Sequence, residues 1–292
     1  MFLPYTPPLE SRGVPPFGLG LAPLPGVLGR VRDAALRPIV IGVMEKAVLP
    51  AGNKIRASAG ARPVASADEF FRRAPLMLVA SGKPFEYTQS NWGDAVHMIG
   101  PCMFEPAMDR VPHWLKAIDR PIVLVTTSSQ QQADEKLVKT AMTALADEPV
   151  HVVATLPAGL PSDIALTTNA TVVEFIPHSP VLDRAVCAIT HGGMGGTQKA
   201  LARGVPLCVV PFGRDQFEVA RRVEVARCGT RLPAKKLNAV RLSAAVRQAM
   251  TMTDGARRVA AGFAATGGVA RGADLIEQRV LKSALAVVRQ PA

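Results

Sequence analysis

Aromatic residues are scarce in this 292-residue sequence: two tryptophans, two tyrosines and ten phenylalanines. Neither Trp92 nor Trp114 stands in a basic run. Surfaces that hold nucleic acid interleave stacking rings with a cationic stripe, so nucleic acid is excluded as the expected partner. Cysteine is scarcer still, with four residues at 102, 187, 208 and 228 and no C-x-x-C pair. That excludes a disulfide scaffold and a zinc site, and no metal is expected. Cys187 and Cys208 sit in the apolar runs AVCAIT and PLCVVP and read as small buried hydrophobes. Acidic residues are outnumbered, 23 against 34 Lys and Arg, for a net charge of +11. The excess is spread along the chain and implies attraction to an anion, which a nucleotide, a phosphate or an anionic membrane surface would satisfy equally. Pro, Lys or Glu interrupts every apolar run well short of the ~20 residues of a membrane span. The opening MFLPYTPPLESRGVPP has no charged segment followed by an apolar one, so it is not a secretory signal. A cytoplasmic location is expected, with peripheral contact to the inner face of the membrane left open.

What the sequence does contain is a globular composition, 48% hydrophobic and 20% charged, which rules out disorder. Residues 1–25 read as an irregular Pro/Gly-rich arm. Val27–Leu49 has helical apolar spacing, which Pro38 should kink or divide. Ser66 and Glu69 have the spacing of a capping box. Leu76–Ala80 and Val96–Ile99 are expected strands, and the prolines at 101, 106 and 112 mark a linker. Strands and helices then alternate: strands at Ile122–Thr126, Val150–Thr155, Val172–Phe175, Val186–Thr190, Leu207–Pro211 and Thr230–Leu232, with helices at Asp134–Ala146, Gly195–Arg203 and Phe217–Cys228. Helices follow at Leu242–Met252, Ala256–Ala264 and Ala273–Val288. β-branched apolar strands between helices predict an α/β fold, a Rossmann-like doubly wound parallel sheet over residues 119–270. Residues 1–118 read as an incomplete, helix-rich N-terminal domain and linker, and 271–292 as a C-terminal helix. Arg221, Arg222 and Arg227 read as a solvated helix face.

The most informative stretch is Ile189-Thr-His-Gly-Gly-Met-Gly-Gly-Thr197, a buried strand running into a glycine-rich turn and a helix. Glycines let backbone N–H groups face a ligand, and the helix N-terminus adds partial positive charge at the same place. His191, at the strand end, adds a side-chain donor. The expected ligand is a diphosphate, cradled by the glycine-rich turn and His191 beyond the carboxyl end of the strand. The spacing is neither a P-loop nor GxGxxG. After the next strand, Asp215 and Gln216 offer an acceptor and an amide that suit vicinal sugar hydroxyls, although Asp215 alone would also serve as a helix cap. Backbone groups around Ile176 and Val181 could meet the edge of a flat base, and Thr126-Thr-Ser-Ser129 places hydroxyls after the first strand of this half.

The run FIPHSPVLDRAVCAITHGGMGGTQKALARGVPLCVVPFGRDQFEVARRVEVARCG resembles the donor-binding segment of family 1 nucleotide-sugar glycosyltransferases of GT-B fold, in the style of actinobacterial glycolipid and natural-product enzymes. The likeness covers Pro121–Ala265, and residues 15–118 more loosely resemble the later part of that family's N-terminal domain. The resemblance implies transfer of a sugar from a UDP- or dTDP-sugar donor to a hydroxyl of a small hydrophobic or glycolipid acceptor, with inversion and without a cofactor. It places His191, Gly193, Gly195, Gly196 and the Thr197 hydroxyl on the diphosphate, Asp215 and Gln216 on the sugar, Ile176 and Val181 beside the base, and Ser129 near the phosphate or the bound sugar. The chain departs from the family pattern at Gly196, where Ser or Thr is common, and at Val219, where many members have Asn. It has no G-H-x-x-P-like turn near Met1, so the first part of the N-terminal domain is expected to be missing and the catalytic residue is unknown. A non-catalytic nucleotide-sugar-binding remnant, or a pseudoenzyme partner of a full-length relative, is the alternative, and an epimerase-like enzyme a weaker third.

Overall fold

A computed structural model describes residues 1–4, 6–128, 135–159 and 167–281. They form two compact units. One holds Met1–Cys102 together with the chain from Phe263 onward, and the other holds Met103–Gly262.

In the first unit, β1 (Phe2–Leu3) precedes a 33-residue helix, α1 (Gly26–Ser58), then α2 (Ala67–Arg72), β2 (Met77–Val79) and β3 (Val96–Met98). The three strands make a parallel sheet in the order β1-β2-β3. The arm expected to be irregular thus contributes a strand: Phe2 and Leu3 pair with Leu78 and Val79. Two residues are too short for a periodic signal to show in the sequence. Side chains alternate across β2. Met77 and Val79 pack with Leu3, Leu9 and Trp92 on one face, and Leu76 and Leu78 pack with Ile99 and Leu275 on the other. Ser66 caps α2 as its spacing predicts, its hydroxyl accepting the Glu69 N–H at 3.0 Å. Pro38 does not divide α1. The helix runs through it and through Pro50 to Ser58.

The second unit opens with α3 (His113–Lys116) and continues β4 (Ile122–Thr126), α4 (Glu135–Leu145), β5 (His151–Thr155), β6 (Ala170–Val173), α5 (Ser179–Leu182), β7 (Ala185–Thr190), α6 (Met194–Ala202), β8 (Leu207–Val209), α7 (Gln216–Val225), β9 (Gly229–Arg231) and α8 (Ala239–Met250). The unit boundary falls within α9 (Thr253–Ala264), and α10 (Gly268–Ile276) belongs to the first unit. All six strands of the second sheet are parallel, in the order β6-β5-β4-β7-β8-β9. The chain builds outward from β4 in one direction, returns, and builds outward in the other, which is the doubly wound arrangement. Val123, Val125, Cys187 and Ile189 form the centre of the core, with Leu137, Val138, Ala141, Met142 and Leu145 of α4 packed on it. Burial pushes the Cys208 and Cys228 thiols up to about 12.

One surface expectation fails. Arg222 is buried, 2% exposed, and its guanidinium binds the equally buried Glu218 carboxylate at 2.8 Å, one turn earlier on α7. The i,i+4 partner, with Val219, Ala220 and Val223 buried beside it, turns this position inward.

Candidate functional site

Where the strand order reverses, between β4 and β7, the loops leaving the carboxyl ends of neighbouring strands part and open a crevice. A cavity of ≈ 370 Å³ lies there, within the size range of small-ligand sites. Four successive strand ends supply its walls: Thr127 and Ser128 after β4, Thr155 and Pro157 after β5, Glu174, Phe175 and His178 after β6, and His191, Gly193, Gly195, Gly196 and Lys199 after β7.

The β7–α6 turn needs its glycines for separate reasons. Gly192 has φ of +97°, and a β-carbon there would come within 3.0 Å of Val209 Cγ1 and 3.2 Å of the Gln216 carbonyl oxygen. At Gly193 the His191 ring lies over the backbone, so a β-carbon would sit 2.5 Å from Nε2. Gly193 is the N-cap of α6 and gives it no side-chain cap. The first ladder bond of α6 runs from the Thr197 N–H to the Gly193 carbonyl, 3.1 Å. The amides of Gly193 through Gly196 therefore stand outside the ladder, at the positive end of the helix dipole. A β-carbon at Gly195 would meet nothing within 4 Å, and one at Gly196 would come 3.3 Å from Thr126 Oγ1. The turn offers an anion bare backbone donors.

Of the residues singled out in the sequence, His191, Gly193, Gly195 and Gly196 line this cavity together. Thr197 does not line it. Its side chain is fully buried, and Oγ1 has no hydrogen-bond partner among the described residues. Ile176 and Val181 are buried behind the wall, and the Val181 N–H is spent on the His178 carbonyl at 3.1 Å. Gln216 is buried, and its Oε1 accepts the N–H groups of Phe212 and Gly213 at 2.8 and 3.0 Å, shaping its own loop. Asp215 occupies the N-cap position of α7 without a side-chain cap bond. Neither Asp215 nor Gln216 lines the cavity. Ser129 lies outside the described residues.

Phe175 and His178 line the cavity from the segment expected beside the base, through their side chains and not through backbone at Ile176 and Val181. Phe175 is 62% exposed at the cavity. His178 holds Thr155 Oγ1 through Nε2 at 3.3 Å, while its Nδ1 is buried with no partner among the described residues. Burial first, and then the positive charge of Lys199, lower its pKa to about 4, so its ring is neutral at neutral pH. Glu105, from the segment expected to be a linker, ties the site together. Its carboxylate accepts the N–H groups of His178 and Ser179, both at 3.0 Å, and the Ser179 hydroxyl, and it pairs with Lys199 Nζ at 2.9 Å. Burial works against the charge, but the bonds from Ser179 and Lys199 outweigh it and hold the carboxyl at about 2. A carboxyl with a lowered pKa stabilises the fold fully above its ordinary value near 4.5 and loses that contribution as pH falls toward about 2. Glu105→Gln should therefore melt below wild type at pH 6, and the gap should close through that acid window. A gap independent of pH in melting curves would show that the charge is not what matters.

The order of the six strands and the crevice at their reversal define the class, and the solved structures that align with the chain are glycosyltransferases of GT-B fold. One is the glycosyltransferase of kitacinnamycin, with a TM-score of 0.68 and 24% identity over 85% of this chain and 67% of that one. Another is the glycosyltransferase VinC in complex with dTDP, with a TM-score of 0.59 and 21% identity over 71% of this chain and 52% of that one. Residues 139–271 match the family model described as erythromycin biosynthesis protein CIII-like, C-terminal domain. Among curated relatives, the 4'-demethylrebeccamycin synthase of Lentzea aerocolonigenes is 32% identical over 277 residues, 92% of this chain and 65% of that protein. The chain thus spans less than two thirds of that relative's length.

Proposed function

We propose that this chain binds a UDP- or dTDP-sugar in the crevice after β4–β7 and transfers the sugar, with inversion, to a hydroxyl of a natural-product or glycolipid acceptor. The donor-binding domain of this proposal is residues 119–270. The observation that carries it is the bare helix start: backbone donors of Gly193, Gly195 and Gly196 beside the His191 ring, all on one cavity wall. In the transfer, the acceptor oxygen bonds to the anomeric carbon, the bond from that carbon to the diphosphate oxygen breaks, the hydroxyl proton leaves to a base, and the nucleoside diphosphate departs with the electron pair. Charge developing on the diphosphate would be met by fixed amide donors and the helix dipole. No cofactor is part of this reading. Among the described residues no three His, Cys, Asp or Glu side chains gather in a way that could hold a metal ion. No helix among the described residues is long and apolar enough to cross a membrane. The dTDP complex of VinC supports the choice of donor.

Phe175 is placed to stack on the base, an exposed ring at the cavity otherwise walled by polar side chains and Pro157. Calorimetry with UDP and dTDP tests the reading. Wild type should bind both, and Phe175→Ala should weaken binding by about 1–2 kcal/mol, roughly tenfold, the worth of one base–aromatic stack. Absence of binding by the wild-type chain would remove the donor assignment.

A further inference from the structure

We propose that Lys199 is a donor-contact residue: its ammonium, steadied by Glu105 at the cavity wall, binds an oxyanion of the diphosphate. The inference rests on the donor reading above and adds a group to it. Lys199 follows Gly195 by four residues and Gly196 by three, so its side chain shares their face of α6. Side chains on a helix tilt toward its N-terminus, which carries the ammonium back over the first turn, where the bare amides are. The residue lines the same cavity as His191, Gly195 and Gly196. An ammonium has three donors. Glu105 Oε1 takes one, at 2.9 Å, and the ammonium has no other partner among the described residues. Glu105 shares its charge among four donors, since the N–H groups of His178 and Ser179 and the Ser179 hydroxyl also bind it. The carboxylate is therefore bound firmly from the loop side, and Lys199 has donors to spare for an anion arriving from the cavity side. Glycine at 195 leaves open space over the helix start: a β-carbon there would meet no neighbouring group within 4 Å among the described residues. A fixed amide wall and a charged arm would then grip the diphosphate from two directions, and charge-assisted bonds of this kind are about twice as strong as neutral ones.

The test compares UDP with uridine, which share base and ribose and differ in the diphosphate. Dissociation constants of the full chain are measured by calorimetry for wild type, Lys199→Met and Lys199→Gln, with thermal melting to confirm folding. Lys199→Met should weaken UDP about tenfold, on the scale of one charge-assisted bond, and leave uridine unchanged, so that the preference for UDP over uridine falls by the same factor. Raising the salt should weaken UDP binding more in wild type than in the variant. If wild type binds UDP and both variants bind it equally well, Lys199 makes no donor contact, and the crevice keeps its assignment. Equal losses for UDP and uridine overturn the proposal too, because they mark a wall residue that only shapes the cavity. No binding of UDP by wild type overturns both readings. Should Lys199→Met fail to fold, Lys199→Gln is read by the same ratio.

Discussion

His191→Ala is expected to weaken UDP binding about 10- to 100-fold while leaving the melting temperature nearly unchanged, because a hydrogen bond to a charged group contributes roughly 1.5–3 kcal/mol. The ring sits at the cavity wall where β7 ends, so its removal costs little packing. Two neighbouring substitutions separate the ring from the backbone. Gly193→Ala leaves the imidazole in the chain but places a β-carbon where Nε2 lies, 2.5 Å away. The ring must swing aside, and the loss should approach that of His191→Ala. Among the described residues Gly195→Ala has nothing within 4 Å to collide with, so it should fold normally and still lose affinity, because its methyl group stands in the open space over the helix start. Calorimetric titration with UDP checks all three. Wild-type affinity in His191→Ala would remove the histidine from the site.

The largest effect on stability is expected at Arg222. Arg222→Met should lower the stability of the second unit by about 3–5 kcal/mol, the usual cost of breaking a buried ion pair by removing one member. Its guanidinium and the Glu218 carboxylate are each about 3% exposed in their side chains and 2.8 Å apart, so the surviving carboxylate would have no water to turn to. Replacing both, as Arg222→Met with Glu218→Leu, should recover most of the loss, since a well-packed apolar pair is often as stable as the ion pair. Urea denaturation midpoints measure both. A single variant as stable as wild type would mean that water reaches the pair.

The arginine marks the limit of what was legible in the sequence. Alternation of β-branched runs with amphipathic segments gave the parallel sheet, because period and composition are local properties. Ile122–Thr126 matches its strand end to end, and most other boundaries shift by a few residues; but the helix expected to end at Leu49 runs on to Ser58, and the last one, expected over Ala273–Val288, is α10 at Gly268–Ile276, its expected end lying outside the described residues. The handedness of crossovers gave the doubly wound arrangement, while the order of the six strands comes from the structure. Burial of a charge was not legible, because it depends on a partner and on the neighbouring layer. Arg222 has the same letter as the more exposed Arg221 beside it. In the site, the glycine turn carried its own signal, and His191, Gly193, Gly195 and Gly196 do meet at one wall. Gln216 spends its carbonyl on the N–H groups of Phe212 and Gly213, a contact no spacing rule announces. Glu105 was hidden for another reason. It acts on residues more than seventy positions away, from a segment whose prolines say only that it is not regular.

That distance bears on how the nucleotide-binding half could be isolated. A fragment begun at the first strand of the six-stranded sheet would look self-sufficient on a topology diagram, yet it would leave Glu105 behind. Two backbone amides, a hydroxyl and an ammonium would then share no common acceptor, and the turn carrying His178 would lose its link to Lys199 and keep the bond from Arg203, at the end of α6, to the Ser179 hydroxyl. The shortest piece that keeps the crevice braced starts upstream of residue 105, in a stretch with no helix or strand of its own.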